Sequence, residues 1–283
     1  MANENDWDLI IEPKNKWYQL DIAALWKYKD LLMLLVRRDF VAVYKQTILG
    51  PVWFFIQPII TTITFTIIFS NIANISTNDV PPLLFYLSGI TLWTYFADCL
   101  NKTSNTFVAN AAVFGKVYFP RLIVPLSVLV SNLIKLAIQL CLFIACWIYY
   151  LLESNTLSPN YSYLVLFPFL ILIMAGLGLG FGILISSLTT KYRDFTFLVG
   201  FGVQLLMYAS PIVYPLSIVP DKYKWIVLAN PVSSVIETFK YIFLGEGLFN
   251  WFYLGYSFVF MVVIIIIGML SFSRVEKSFM DTV

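Results

Sequence analysis

Histidine is absent from the 283 residues of this chain, which removes the most common general base and metal ligand. The three cysteines, Cys99, Cys141 and Cys146, all fall in apolar stretches, which argues against a disulfide framework or a metal site. No G-x-x-x-x-G-K-[S/T] motif and no nucleophile elbow occur, so the chain is not expected to bind ATP through a P-loop of its own. We therefore expect no catalytic residues and no bound metal in this chain.

Charged residues are also scarce, at 12% of the chain against roughly 25% in a typical soluble domain. Hydrophobic residues make up 60%, which is more apolar surface than one water-soluble core of this size can bury. Lipid must cover the remainder, so we predict an integral membrane protein. The net charge of +2 is too small to suggest nucleic acid as a partner.

Long uncharged runs mark the predicted membrane spans. Lys45 and Asp79 are separated by 33 uncharged residues, and Glu153 and Lys191 by 37. Because a helix needs roughly 20 apolar residues to cross the hydrocarbon, the chain is expected to be all-α, with one polytopic transmembrane domain over residues 1–283. The six predicted spans lie near residues 52–72, 82–100, 122–151, 163–188, 195–214 and 251–273.

The orientation follows from the loop charges. Six crossings place both termini on one side, and the segments on that side contain 14 Lys and Arg residues. The opposite side has only three, Lys222, Lys224 and Lys240. The positive-inside rule therefore predicts that both termini are cytoplasmic.

Two regions do not fit simple spans. Residues 22–45 alternate apolar clusters with charges, and Leu31, Leu34 and Leu35 share a predicted helix face. This pattern predicts an amphipathic helix in the cytoplasmic membrane interface, with a soluble helix packed on a partner as the alternative. Residues 211–248 are too polar and too rich in proline to span, so we expect short re-entrant helices entering from the outer surface.

The third and fourth spans carry features that need explanation. Ser127, Ser131, Lys135 and Gln139 recur at steps of four, so they form a polar stripe around an intramembrane lysine. Lys135 either serves the transported substrate or is neutralised against another helix or by snorkelling, and the sequence leaves both roles open. The pairs Gly176/Gly180 and Gly178/Gly182 form G-x-x-x-G motifs and predict close helix packing.

The first and fifth spans mix aromatic, hydroxyl and amide side chains on one face. Such faces suit a path for sugars, whose ring faces stack on aromatics while their hydroxyls form hydrogen bonds, although ordinary helix packing would also explain them. The candidate path residues are Gln57, Thr61, Thr64, Phe65, Phe69, Gln204, Tyr208 and, in the following turn, Tyr214.

A short helix is also predicted on the cytoplasmic side after the second span, over residues 103–114, before a turn at Gly115. It offers a lever that another protein could push, and a passive loop is the alternative.

Several motifs resemble one family in order along nearly the whole chain. They are RRDFVAVYKQTILGPVWFFIQP from Arg37, GKVYFPRLIVPL from Gly115, SPIVYP from Ser210, NPVSSVIETFKYIFLGEG from Asn230, and the terminal RVEKSFMDTV. Together they are similar to the permease subunits of polysaccharide-exporting ABC transporters. The similarity is nearest to O-antigen exporters, with capsule and teichoic-acid exporters close.

The resemblance implies a homodimer working with two copies of a separate ATP-binding subunit, which would hold the ATP and Mg²⁺ that this chain is not expected to bind. It implies a location in the bacterial inner membrane, a channel lined by the first and fifth spans of both protomers, and re-entrant helices that narrow its outer mouth. Coupling to the ATPase is implied for Asn105, Asn110, Phe114 and Lys116, and contact with a polyprenyl pyrophosphate for Arg37, Arg38 and Lys45.

Three other functions remain as alternatives at this point. A transporter of the same scaffold could export a small molecule or drug. A membrane enzyme acting on polyprenyl carriers is disfavoured by the lack of acid–base residues. An ion-coupled secondary transporter would usually show intramembrane carboxylates and internal repeats.

Overall fold

The computed structural model describes residues 22–45, 47–117, 119–153, 157–192 and 194–282. Within these ranges all regular structure is helical and no β-strand occurs, which confirms the predicted all-α class. Residues 1–21 of the predicted cytoplasmic tail and amphipathic helix (1–50), and Arg193 among the basic residues counted for orientation, lie outside the described residues.

Among the described residues, five helical segments are long and apolar enough to cross a membrane, and they match five of the predicted spans. The α-helices of the described residues are α1 (Ile22–Lys27), α2 (Lys29–Tyr44), α3 (Trp53–Phe65), α4 (Pro82–Ser104), α5 (Thr106–Phe114), α6 (Ile123–Glu153), α7 (Phe167–Thr189), α8 (Phe195–Tyr208), α9 (Asp221–Ala229), α10 (Pro231–Leu244) and α11 (Trp251–Thr282). Short 3₁₀ turns at Gly50–Val52 and Tyr161–Leu166 lead into α3 and α7, and a π-helical segment, Thr66–Ile72, continues α3.

The fifth predicted span is shorter than expected, so the count of six spans is not confirmed. Helix α8 has 14 residues, about 21 Å at 1.5 Å per residue, against about 30 Å of hydrocarbon. The prediction extended this span to residue 214, but the helix ends at Tyr208. Pro211 lies three residues further on, and a proline cannot donate the backbone hydrogen bond that would continue the helix.

Helix α7 lies at the centre of the bundle, packed between α4 and α11. A Cβ on Gly180 would lie 2.7 Å from Ile264 Cγ2 of α11, and one on Gly178 would lie 2.8 Å from Cys99 Cβ of α4. The two glycine pairs therefore face different neighbours, and each permits a backbone approach that alanine would prevent. Their predicted role in close packing is confirmed.

The predicted amphipathic helix is divided into α1 and α2 at Tyr28. Leu35 is buried and Leu31 and Leu32 pack beside it, in one cluster with Phe107 and Phe114 of α5 and Phe272 of α11. Leu34 was expected on the same face as Leu31 and Leu35, but it is largely exposed. The packed face is centred on Leu32 and Leu35. Leu34 is two residues after Leu32, which is about 200° around the helix axis, so it lies on the opposite side of the helix.

The segment before α11 contains the predicted short helices, α9 and α10, neither of which has the length of a span. Asn230 begins α10 by accepting a hydrogen bond from the Val232 amide at 3.1 Å, and Pro231 occupies its first position. Gly245 ends it in the left-handed conformation, with φ of 77°. The Trp147 indole at the end of α6 donates to the Phe243 carbonyl at 2.6 Å, so α10 is fixed to that end of the bundle.

Candidate transport path and coupling surface

Helix α5, the predicted cytoplasmic lever, is anchored to two spans. Its Phe107 amide donates to Ser186 Oγ of α7 at 3.4 Å, and the Phe107 ring stacks on Phe272 of α11 with centroids 4.4 Å apart. Just before α5, the Ser104 carbonyl accepts a hydrogen bond from Thr189 Oγ1 at 3.0 Å. A push on α5 would therefore be transmitted to α7 and α11.

The outer face of α5 and the turn after it form an exposed apolar surface. Val108 and Val113 are 46% and 44% exposed, and Val117 is also exposed. Lys116 is exposed beside them. We call Val108, Val113, Lys116 and Val117 the coupling surface, because they present the side chains that a cytoplasmic partner could contact.

The other predicted coupling residues face the protein more than the solvent. Phe114 is buried, and the Arg121 guanidinium lies 5.5 Å from its ring centroid. The Asn105 and Asn110 side chains, both half-buried, donate to helix carbonyls one turn earlier, those of Asn101 and Thr106. Phe114 can therefore affect a partner only by holding α5 in place, whereas Lys116 is positioned to touch one.

Helix α3 and its continuation are poorly covered by the rest of the chain. Only 17% of the residues in the most apolar stretch of this span are buried, against 83% of those in the corresponding stretch of α4. Helix α3 packs on α4 and α6, whereas α8 packs on α4 and α7. Both predicted path helices thus lie on the periphery of the protomer.

The predicted path residues fall into two groups. Gln57, Thr64, Gln204 and Tyr208 are exposed on the uncovered helices α3 and α8. Phe65, Phe69, Thr61 and Tyr214 are only half-buried or partly packed. The Phe65 ring meets Phe69 edge-to-face at 5.3 Å and Tyr86 of α4 at 6.2 Å, so this aromatic pair also contributes to helix packing.

The basic residues predicted to meet a lipid phosphate lie on α2 and at its end. Arg37, Arg38 and Lys45 are all exposed. Arg38 donates two hydrogen bonds to the Asp39 carboxylate, at 2.9 and 2.8 Å, which occupies part of its guanidinium. Trp26 and Met33 are exposed apolar side chains of the same two helices, as an interfacial helix requires.

Lys135 forms an ion pair inside the bundle. Its ammonium lies 2.7 Å from the Asp98 carboxylate of α4, and the two side chains are only 13% and 27% exposed. This geometry favours neutralisation against another helix, one of the two roles that the sequence left open. Asp98 could have been recognised in the sequence as a charge at the end of a span, since it follows 18 uncharged residues. Nothing in the sequence, however, indicated that Asp98 pairs with Lys135.

The rest of the polar stripe is buried with fewer partners. Asn132, next to the stripe, accepts a hydrogen bond from the Lys102 ammonium at 2.9 Å. The Ser131 hydroxyl and both polar atoms of the Gln139 amide have no hydrogen-bond partner within the described residues. Across all the residues that the structure describes, no group of three or more His, Cys, Asp or Glu residues could hold a metal.

Two charged residues of α10 were missed as site residues. Lys240, counted from the sequence as an exposed loop charge, is 1% exposed, and Glu237 is 2% exposed. The Lys240 ammonium donates to the Pro211 carbonyl at 2.6 Å and lies 3.5 Å from the Phe85 ring centroid. Burial lowers the pKa of Lys240 to about 8 and raises that of Glu237, and the attraction between them opposes both shifts.

Comparison with known proteins identifies the family. Residues 30–244 match the model of the ABC-2 type transporter family. The chain is 25% identical over 252 residues to an O-antigen export system permease protein RfbA of Klebsiella pneumoniae, covering 89% of this chain and 94% of that protein. It is 26% identical over 224 residues to the protein of the same name from Myxococcus xanthus, covering 78% and 83%. With its membrane-length apolar helices and its match over most of its length, the chain belongs to the ABC-2 type transporter family, as a multi-pass membrane permease subunit.

Proposed function

We propose that the chain is the transmembrane subunit of an ATP-driven exporter that moves a polyprenyl-pyrophosphate-linked, O-antigen-like polysaccharide outward across the bacterial inner membrane. The observation that carries this proposal is the exposure of polar side chains on α3 and α8. Both carry polar side chains, Gln57 and Gln204 among them, on faces that the protomer leaves uncovered. Relatives aligned over most of the chain are named O-antigen export permeases, which supports the same class of substrate.

A second copy of the chain completes the path in this proposal. Uncovered amides such as those of Gln57 and Gln204 are costly against lipid, so they require either a protein neighbour or water. Helix α3 packs on α4 and α6, whereas α8 packs on α4 and α7. The two path helices therefore do not face each other across an enclosed channel within one protomer. A homodimer that brings the four helices together would give the amides, hydroxyls and aromatic rings a water-filled lumen suited to sugars.

The driving force comes from a separate ATP-binding subunit, of which two copies bind the dimer and hold ATP and Mg²⁺. Its docking site is the coupling surface, with Val113 at its centre. Movement of α5 passes to α7 and α11 through the Phe107 contacts and shifts the population of closed and open channels. This chain supplies the path and the lever and catalyses no reaction itself.

The lipid-linked end of the polymer enters from the cytoplasmic leaflet, on the side of both termini. Arg37, Arg38 and Lys45 are exposed cations at that level and attract the pyrophosphate. Arg37 is a stronger candidate than Arg38, because Arg38 already binds Asp39. Helices α1 and α2 lie in the interface, with Trp26 and Met33 in the acyl region.

Co-purification with the candidate ATP-binding subunit tests the proposal, followed by ATP hydrolysis and polymer export in lipid. Val113→Asp should abolish the complex and nucleotide-dependent export, because it puts a charge into an apolar interface. Tyr223→Asp is the control: Tyr223 is a 50% exposed side chain of α9 between Lys222 and Lys224, away from α5 and outside the predicted spans, and its variant should retain both.

Two results would contradict the proposal. Transport by the chain alone, without nucleotide, would remove the ABC mechanism. Export of small solutes but not of lipid-linked polymer, by a complex that Val113→Asp disrupts, would support the small-molecule alternative instead.

A further inference from the structure

A small pocket lined by both charged and apolar side chains lies at the end of the bundle opposite the coupling surface. Its volume is about 220 Å³, below the roughly 300–1,000 Å³ of pockets that hold drug-sized ligands. It is lined by Asn78, Phe85, Pro215, Leu216, Ser217, Lys224, Leu228, Glu237, Lys240, Glu246, Gly247 and Leu248. We call it the outer pocket. Four separate segments meet there: the loop after the first span, the start of α4, the residues around α9, and α10 with the turn that follows it.

The deep end of the outer pocket contains a carboxylate with unused hydrogen-bonding capacity. Glu237 Oε2 accepts a hydrogen bond from the Leu248 amide at 3.0 Å, whereas Glu237 Oε1 is buried with no partner within the described residues. A buried oxygen without a partner costs free energy that a ligand hydroxyl would recover. A further hydrogen-bonding group is therefore expected beside Glu237.

The charge balance in the outer pocket limits the class of ligand. Glu237 and Glu246 contribute two carboxylates, and Lys224 and Lys240 contribute two ammonium groups. The lining thus carries both signs, with Lys224 also paired to the exposed Asp221 carboxylate at 2.7 Å, and it holds no cluster of one sign that would select an anion or a cation. It suits a neutral molecule rich in hydrogen-bonding groups.

The walls add an apolar surface and an open rim. Phe85 is buried at the deep end with the Lys240 ammonium over its ring, while Leu248 and Ser217 are exposed at the rim. Asn78 links two walls, since its amide donates to Ser217 Oγ at 2.9 Å and to Glu246 Oε2 at 3.4 Å. Carboxylates, an amide and a hydroxyl beside apolar side chains are what a single sugar ring requires for its hydroxyls and its C–H faces.

We propose that the outer pocket binds one pyranose unit of the exported polymer, with the Glu237 carboxylate accepting hydrogen bonds from its hydroxyls. This inference rests on the proposed function, which supplies the polymer. The pocket includes Asn78 of the loop after the first span, so it lies beside the outer end of the proposed path. A sugar unit held there would meet the re-entrant helices as the polymer leaves the path. The site would then favour forward movement, because an emerging unit gains hydrogen bonds on the outer side.

Saturation-transfer NMR on the full chain in nanodiscs tests the proposal. The probes are methyl α-D-glucopyranoside, methyl α-D-mannopyranoside and methyl N-acetyl-α-D-glucosaminide, with glycerol as the small-polyol control. At least one glycoside should bind saturably at millimolar concentration while glycerol does not. Glu237→Gln should weaken that binding about tenfold, as expected for the loss of a charged acceptor. Glu153→Gln, an exposed carboxylate outside the outer pocket, should leave it unchanged.

Folding of the variants needs its own readout, because Glu237 is buried. Glutamine keeps an oxygen for the Leu248 amide, and a monodisperse peak with an unchanged unfolding temperature would show that α10 is intact. Ser217→Ala at the rim is a second variant that leaves the buried groups in place, and it should weaken binding severalfold. Equal binding to the wild type, Glu237→Gln and Ser217→Ala would overturn the proposal.

The outcomes separate this inference from the proposed function. Polymer export by the wild-type complex without saturable glycoside binding would overturn the outer pocket alone. Glycoside binding that depends on Glu237, in a protein that exports no polymer, would overturn the proposed function and support the pocket.

Discussion

The Lys135–Asp98 ion pair gives the sharpest test of how the bundle is held together. Lys135→Met removes the cation and leaves the Asp98 carboxylate, which is 27% exposed, without its partner. Removing one member of a fully buried pair costs about 3–5 kcal/mol, and disrupting an exposed pair about 0–1 kcal/mol. Since this pair lies between those limits, we expect a loss of about 2–3 kcal/mol.

The double variant Lys135→Met/Asp98→Asn should recover most of that loss. It has no unpaired charge, so its destabilisation should stay below about 1 kcal/mol despite two substitutions. Lys102→Met is the matched control: it removes a lysine of α4 whose partner, Asn132, is neutral, and it should cost only about 1 kcal/mol. Equilibrium unfolding in mixed micelles with increasing dodecyl sulfate, followed by tryptophan fluorescence, gives these free energies.

Additive effects would refute this reasoning. The single variant Asp98→Asn completes the cycle. If the double variant lost the sum of the losses of Lys135→Met and Asp98→Asn within about 0.5 kcal/mol, the two groups would not be coupled. Export measures the other role. A stable double variant that exports normally would establish neutralisation as the role of Lys135, whereas a stable double variant without export would assign Lys135 to the transported substrate.

Three further predictions concern packing, pH and the lipid carrier. Gly180→Ala should destabilise the chain by about 1–3 kcal/mol in the same unfolding assay, because its Cβ would overlap Ile264 of α11; Gly255→Ala, where a Cβ meets no atom within 4 Å, should stay within about 0.5 kcal/mol. Burial lowers the pKa of Lys240 from 10.5 to about 8, so between these two pH values the unfolded chain binds more protons than the folded one. The free energy of unfolding should therefore rise as the pH is raised from about 8 to 10.5, and Lys240→Met should remove that rise. Arg37→Gln should lower export of the lipid-linked polymer severalfold with the ATPase complex intact, and Lys222→Gln on the outer side should not.

Several parts of the fold were accessible from the sequence because they depend on local pattern and length. The five long spans follow from uncharged runs, since a helix must satisfy its own backbone hydrogen bonds in lipid. The glycines of α7 were interpreted correctly because their four-residue spacing puts them on common helix faces. The short cytoplasmic helix was expected at residues 103–114 and begins at Thr106, where the Asn105 side chain turns back to the Asn101 carbonyl.

The candidate site was predicted less completely, because exposure and pairing depend on neighbours distant in sequence. Phe114 was predicted to take part in coupling, which stays a prediction, and the structure shows that its side chain is buried, with Arg121 over its ring. The valines of α5 were not selected, although they are the exposed side chains. Helical spacing alone does not say which face of a short helix the bundle will cover.

The sequence by itself determined that this chain is a helical membrane protein, where its long spans lie and which permease family its motifs resemble. Those properties follow from hydropathy, charge placement and residue order, which need no knowledge of contacts. Only the tertiary structure decided that Lys135 meets Asp98, that α8 ends at Tyr208 and that Glu237 is buried in a pocket with Lys240. A charge in an apolar setting must find a partner, but packing of helices far apart in the chain selects which partner it finds.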